Sequence, residues 1–259
     1  MNVKVIIAAH KESELPNDEM YLPLHVGAQG NPPLPYTGDN TGDNISEKNA
    51  VYCELTGLYW AWKNLLDYEY VGLVHYRRYL ALHAPWGARS LGRVLTKKQA
   101  EKLLQGRDGI LPKPRRYLIE NLYSHYKHTS YIEPLDIAGE IIAEKYPSYT
   151  PAFERLKIRT SAHMFNIFIL RRDHLDKYCT WLFDILFELE KRVGTRTYPS
   201  FHARFYGRVS ELLFDVWLEN NPLDCATAAL LQTAKVNWFV KGGAFLAAKF
   251  FGKKYKKSF

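Results

Sequence analysis

The side chains best equipped for chemistry in this sequence lie in "YVGLVHYRRYL", residues 70–80. An imidazole, a phenol and two guanidinium groups (His75, Tyr76, Arg77 and Arg78) follow directly on the apolar run Val71, Leu73 and Val74. Arginine forks bind phosphate or carboxylate oxygens bidentately, so this group suits an anion. A second basic pair, His10 and Lys11, follows the apolar run from Val3 to Ala9. Carboxylates offer less. Asp67-Tyr68-Glu69 is formally a D-x-E, but it precedes its strand and reads as a solvated turn. Asp39 and Asp43 in "DNTGDN" have a spacing faintly like a calcium loop, yet the Gly and distal Glu of an EF-hand are missing. A turn and a helix cap explain them better, and a divalent metal is the less favoured alternative.

These groups need elements to position them. Val3 to Ala9 and Tyr70 to His75 read as core strands, with Gly72 leaving room for a neighbouring backbone. Residues 23–46, rich in Gly, Pro, Asn and Asp, read as a long loop of the kind that is functional or mobile. Asn44 or Ser46 can cap a helix running to about Leu66. "TKKQAEKLLQ" reads as a surface helix, "DGILPK" as a strand edge and "YLIENLYSHYKH" as an aromatic helix or loop. "IEPLDIAGEIIAEKYP" is a helix closed by Pro147, and "SAHMFNIFILRR" a strong strand. Two further helices follow: "DHLDKYCTWLFDILFELEKRV", capped by Asp173 and ended by Gly194, and "YGRVSELLFDVWLENNP". This order predicts an α/β fold with a central sheet. Ligands of such sheets bind beyond the carboxyl ends of the strands. Here those ends are "AAHKE" and "HYRRY", which points to one anion site.

Composition narrows the class. The 259 residues are 47% hydrophobic, 24% charged and 14% aromatic, which fits one large domain with tyrosines to spare for a sugar or base pocket. The net charge of +8 is local: residues 235–259 hold seven lysines and no acid, leaving 28 basic against 27 acidic residues elsewhere. Residues 1–234 therefore read as the domain and 235–259 as a basic, aromatic C-terminal segment. There Trp238, Phe239, Phe245, Leu246, Phe250 and Phe251 interleave with the lysines, a composition suited to an anionic membrane surface. No nucleic-acid-binding motif and no phosphate-binding P-loop is present. Cys53, Cys179 and Cys225 form no C-x-x-C pair and read as reduced thiols. With no signal peptide and no span of about 18 apolar residues, the expected location is the cytoplasm, peripheral to the inner face of the cell membrane.

Several blocks together follow a known pattern: "HVGAQGN", "DNTGDNISEKNAVYCELTGLYWAWKN", "YVGLVHYRRYL", "LPKPRRYLIENLYSHY", "SYIEPLD", "MFNIFILRRDHLDKYCTWLFDILFELEKR" and "RFYGRVSELLFDVWLE". In order and over nearly the whole chain, they resemble a bacterial family long carried as a domain of unknown function. It is found among capsule, exopolysaccharide and O-antigen glycosyltransferases, and some members are assigned as galactofuranosyl- or galactosyltransferases. The resemblance implies a GT-A-like single domain with a central, mostly parallel sheet flanked by helices. It also implies a UDP-linked sugar donor and a lipid-linked glycan acceptor.

What this implies for single residues can be stated one by one. Many GT-A enzymes carry an acidic D-x-D that holds a metal against the donor diphosphate. His75-Tyr76-Arg77 takes that place here without a carboxylate, so arginine can neutralise the leaving group and no cofactor is required. Donor-side residues are then His10, Lys11, Asn44, Ser46, Asn49, His75, Tyr76, Arg77 and Arg78, with Asn44, Ser46 and Asn49 presenting donors at a helix N-terminus, although simple capping would explain Ser46 equally well. Glu211 is the candidate base if the anomeric centre inverts, with a first-turn acid stabilised by the helix dipole as the plain alternative. Asp215 is the reserve. Arg116, His163, Asn166 and Arg208 are placed on the acceptor side, with a buried, hydrogen-bonded pair the structural alternative for His163 and Asn166. The competing function is a non-catalytic protein that binds a nucleotide-sugar or glycan; a nucleic-acid-binding protein is less favoured.

Overall fold

The computed structural model describes residues 1–194 and 196–234. Along the chain come β1 (Val3–Ala9), β2 (Tyr21–His25), β3 (Thr37–Gly38), α1 (Asn49–Tyr52), α2 (Leu55–Asn64), β4 (Tyr70–His75) and β5 (Arg78–Ala81). There follow α3 (Lys97–Leu104), β6 (Gly109–Pro112), β7 (Arg115–Arg116), α4 (Leu122–Thr129), α5 (Glu133–Lys145), α6 (Thr150–Ile158) and β8 (Ser161–Ala162). The chain continues with β9 (Phe168–Arg171), α7 (Arg172–Val193), α8 (Ser200–Ala203), α9 (Phe205–Asn220) and β10 (Cys225–Gln232). The described residues gather into two compact units: unit 1 holds 1–113, 165–181 and 222–234, and unit 2 holds 114–164, 182–194 and 196–221.

Unit 1 is built on one sheet. β3, β2, β1 and β4 pair in parallel. The rest departs from the expected mostly parallel sheet. β4 pairs with β5, β5 with β10, β10 with β6 and β6 with β9, and β9 returns to β4 to close a five-stranded ring. Of these five pairings only β10–β6 is parallel. β4 thus has partners on both sides and is buried throughout except at His75. A Cβ on Gly72 would lie 2.7 Å from the Phe168 carbonyl oxygen, so only glycine allows β9 so close. Val5, Ile7, Val74, Tyr79, Leu80, Ile110 and Ile169 form part of its core.

Three local expectations need correction. The helix expected from Asn44 or Ser46 to Leu66 is interrupted at Cys53, which adopts φ 54°, ψ −129°, and Ser46 makes no N-cap. Asn49 Nδ2 donates to the Cys53 carbonyl at 2.8 Å and stabilises the break. The strand read in "SAHMFNIFILRR" divides into β8 and β9, because Phe165 and Asn166 take φ 77° and 50°. The loop read over 23–46 contains the end of β2 and all of β3.

Unit 2 is mainly helical. Buried Leu135, Ile141, Phe153, Leu186, Leu213 and Trp217 lie at helical spacings on α5, α6, α7 and α9 and supply its apolar interior. β7 and β8 form a separate two-stranded ribbon, Arg115 opposite Ala162. Among the described residues no helix is long and apolar enough to cross a membrane. The membrane contact expected of residues 235–259 falls outside the described residues.

Candidate active site

The carboxyl ends of β1 and β4 lie side by side in unit 1, Ala8 opposite His75. The Tyr76 N–H continues the ladder to the Ala8 carbonyl at 3.2 Å. β4 then reverses at once, with His75 paired to Arg78 across a two-residue turn, Tyr76-Arg77. Neither turn residue has a positive φ, so this is not the primed turn that two-residue hairpins favour. The sequence signal was correspondingly weak.

Tyr76 gathers basic side chains. His10 meets its ring edge-on with centroids 5.2 Å apart. Lys11 Nζ lies 5.8 Å from the ring centroid and Arg77 Cζ 5.1 Å. Contacts of a cation with an aromatic face contribute about 0.5–1 kcal/mol at exposed positions. They leave the N–H donors of Lys11 and Arg77 for an anion. Arg78 is used differently, its Cζ lying 4.3 Å from the centre of the Phe165 ring.

The three non-glycine residues with positive φ among the described residues are Cys53, Phe165 and Asn166. They meet in one polar cluster. Asn166 Nδ2 donates to Glu54 Oε1 at 2.8 Å, and Glu54 follows Cys53 in the chain. His75 hydrogen-bonds the Phe165 backbone and feels the Glu54 charge. Left-handed backbone costs on the order of 1–3 kcal/mol per residue and persists where surroundings impose it, often at functional sites. Burial is the main cause that pulls the His75 imidazole down to about 4; Glu54 opposes it, and Arg78 and Arg77 add to it. His75 is therefore neutral at neutral pH, and its Nε2 is buried without a hydrogen-bond partner.

Asp39 organises the loop beside this cluster. Its fully buried carboxylate accepts from Gly27 N at 2.9 Å, Ala28 N at 3.0 Å and Thr56 Oγ1 at 2.6 Å, and from the Ser46 hydroxyl. With its lone pairs met by these donors, Asp39 is a structural anchor. Asn49 Nδ2 reaches both Thr56 Oγ1, at 3.0 Å, and the Cys53 carbonyl. Asn44 ties its own loop, accepting from Ser46 N at 3.1 Å. The donor-side residues expected from sequence thus divide: His10, Lys11, Tyr76 and Arg77 come together, while Asn44, Ser46 and Asn49 bond within the loop. Asp43 accepts from the Tyr59 hydroxyl at 3.2 Å, and Asp67 and Glu69 are exposed.

The remaining candidates, apart from Asn166, belong to unit 2. Asp215, 3% exposed, accepts from His163 N at 2.6 Å, His163 Nδ1 at 2.9 Å and Arg159 Nη2 at 3.3 Å. His163 and Asn166 were read on one strand; instead His163 bonds Asp215 in unit 2 and Asn166 bonds Glu54 in unit 1. Glu211 is the seventh residue of α9, so the first-turn reading does not apply to it. Its charge acts on the buried Tyr126 phenol, as does that of Arg208. Arg208 Nη1 donates to Ser130 Oγ at 2.8 Å, and Arg116 is exposed on β7. Sequence reasoning missed Glu54 and Phe165. Only the polar Asn166 within "MFNIF" hinted at a break there.

Residues 4–222 match the family described as Domain of unknown function (DUF4422). The chain belongs to this family. The apo structure of the bifunctional glycosyltransferase WbbM is similar, with a TM-score of 0.82 at 30% identity. The match covers 91% of this DUF4422 chain and 46% of the WbbM chain, so the present chain spans about half the length of that protein. No curated protein matches the sequence.

Proposed function

We propose that this DUF4422 protein is a glycosyltransferase that takes a hexose, galactofuranose or galactose favoured, from a UDP-linked donor. The acceptor is a growing, lipid-linked polysaccharide. The observation that carries this reading is the gathering of His10, Lys11 and Arg77 around Tyr76, at the carboxyl ends of β1 and β4 and beside strained backbone. The likeness to WbbM supports glycosyl transfer over other chemistry on an anionic ligand.

In the reaction the bond from the anomeric carbon to the diphosphate oxygen breaks and a bond to the acceptor oxygen forms. The Arg77 fork binds the diphosphate and stabilises the charge that grows on it, with Lys11 adding a point charge. No divalent cofactor is needed for that task. Arg78, held against Phe165, and neutral His75 fix the turn rather than adding free charge. If the anomeric carbon inverts, a carboxylate takes the acceptor proton; Glu211 is the candidate, with Asp215, bonded by His163 and Arg159, in reserve.

UDP release measured across a panel of nucleotide-sugars, with and without glycan acceptors, tests the proposal. Release with one UDP-sugar supports it. Binding of UDP-sugars without release, even by slow hydrolysis, would favour the non-catalytic alternative, and absence of binding would overturn the site assignment.

A further inference from the structure

Unit 2 carries a surface feature that glycosyl transfer does not require. Leu118 is 94% exposed and Ile119 63%, in the loop that joins β7 to α4. Single exposed aliphatic residues are ordinary, but two adjacent ones at this exposure are not alone. The loop lies beside the chain leaving α6, since Tyr117 N donates to the Thr160 carbonyl at 2.7 Å and Leu122 N to the Arg159 carbonyl at 2.8 Å. On that neighbouring segment Ile158 is 72% exposed.

The loop's own exposed charge has one sign, and the exposed Glu154 one turn before Ile158 is paired with Lys157. Arg115 and Arg116 precede the loop tip, and Arg116 is exposed. The loop's one acid, Glu120, is withdrawn: its side chain is 5% exposed, with His125 Nδ1 2.8 Å from one oxygen and His128 Nδ1 2.8 Å from the other. Tyr117 stands between, its ring 4.3 Å from that of His125 and 5.1 Å from Arg115 Cζ. From its root to its tip the loop therefore presents cations, an aromatic ring and then aliphatic side chains, with its carboxylate folded away.

We infer that residues 115–119, with Ile158 beside them, form a contact that inserts into an anionic bilayer surface. Leu118 and Ile119 enter the acyl boundary, Tyr117 lies at headgroup depth, and Arg115 and Arg116 meet lipid phosphates. A protein partner would need roughly 800 Å² of shaped surface on each side. Two aliphatic side chains on a loop tip match a bilayer better, because it asks for no shape complementarity. This contact does not rest on the glycosyltransferase reading.

The full chain is tested by flotation with vesicles of phosphatidylcholine containing phosphatidylglycerol, and with pure phosphatidylcholine. The expected result is binding to the anionic vesicles that weakens with salt, and a ratio of bound to free protein at least about tenfold lower for Leu118→Ser/Ile119→Ser. Because another segment could dominate flotation, Leu118→Trp is examined with brominated lipids. Its fluorescence should be quenched beyond that of the unsubstituted chain. Failure of the chain to bind vesicles, or absence of extra quenching at position 118, would overturn the inference. So would a loss of self-association in Leu118→Ser/Ile119→Ser with vesicle binding unchanged, which would assign the patch to a second copy of the chain.

Discussion

Replacing Arg77 by alanine separates a ligand-binding role from a structural one more cleanly than any other change at the β4–β5 turn. The residue is half-buried, its side chain rests against the Tyr76 ring, and its carbonyl accepts from Thr233 N at 3.0 Å. Alanine keeps that backbone bond and fits the negative φ of the turn. Stability should therefore change by no more than about 1 kcal/mol, the worth of the lost contact with Tyr76. Donor binding should suffer more. Loss of a charge-assisted, bidentate contact costs about 1.5–3 kcal/mol, which is roughly a 10- to 150-fold weaker dissociation constant. Arg77→Lys keeps the charge without the fork and should fall between the two. Titration calorimetry with UDP, beside urea unfolding of the same preparations, reads both quantities. Arg78→Ala is the contrasting control, since it removes the packing on Phe165 and should lower stability as well. A folded Arg77→Ala protein that binds UDP as tightly as the unsubstituted chain would refute the assignment of the turn.

Other expectations follow from the same geometry. Turnover should persist in excess EDTA, and complete loss restored by Mn²⁺ would show that carboxylates recruit a metal. His75, pulled from an ordinary value of 6.5 to about 4, binds fewer protons folded than unfolded between those values. Its contribution to stability is thus fully present above pH 6.5 and declines as pH falls towards 4. Urea midpoints at pH 4.5 and 7.5 should differ less in His75→Gln than in the unsubstituted chain; an equal difference would rule out His75 as the source. Glu211→Gln should reduce turnover by about a hundredfold or more while leaving UDP affinity intact. Unchanged turnover would move the base elsewhere or indicate retention of configuration.

The strands that carry the site were legible because their signals are local. β1 and β4 have the bounds that their apolar runs suggest, and the capping box of Thr96 and Gln99 marks α3. What escaped depends on distant partners. β10, "CATAALLQ", is rich in residues that favour helix, and pairing with β5 and β6 makes it a strand. Closure of the ring rests on that same strand, and the antiparallel pairings of β5 and β9 with β4 overturn the expectation of a mostly parallel sheet. The hairpin at Tyr76-Arg77 was hidden because neither residue is a glycine, asparagine or aspartate. Glu54 could not be linked to Asn166 from sequence, since 112 residues separate them. The basic cluster itself was legible as a strand end, but not that Arg77 rests on Tyr76 while Arg78 rests on Phe165.

That last distinction follows from how the cluster is held. Gly27 and Ala28 are bound to Asp39, Asp39 to Thr56, Thr56 to Asn49, and Asn49 to the strained Cys53. Glu54, next in the chain, holds Asn166; Phe165, beside it, carries Arg78. The glycine-rich segment is therefore linked to the arginine turn through hydrogen bonds, two steps along the backbone and the contact of Arg78 with the Phe165 ring. Arg78 is the terminus of that series and is committed to it. Arg77, one residue earlier and on the turn itself, rests on the Tyr76 ring. Under the proposed function the two adjacent guanidinium groups take different tasks, Arg78 fixing the hairpin against Phe165 and Arg77 meeting the ligand. In that reading a turn held from both sides meets a diphosphate with little reorganisation, which is where electrostatic stabilisation of a leaving group is most effective.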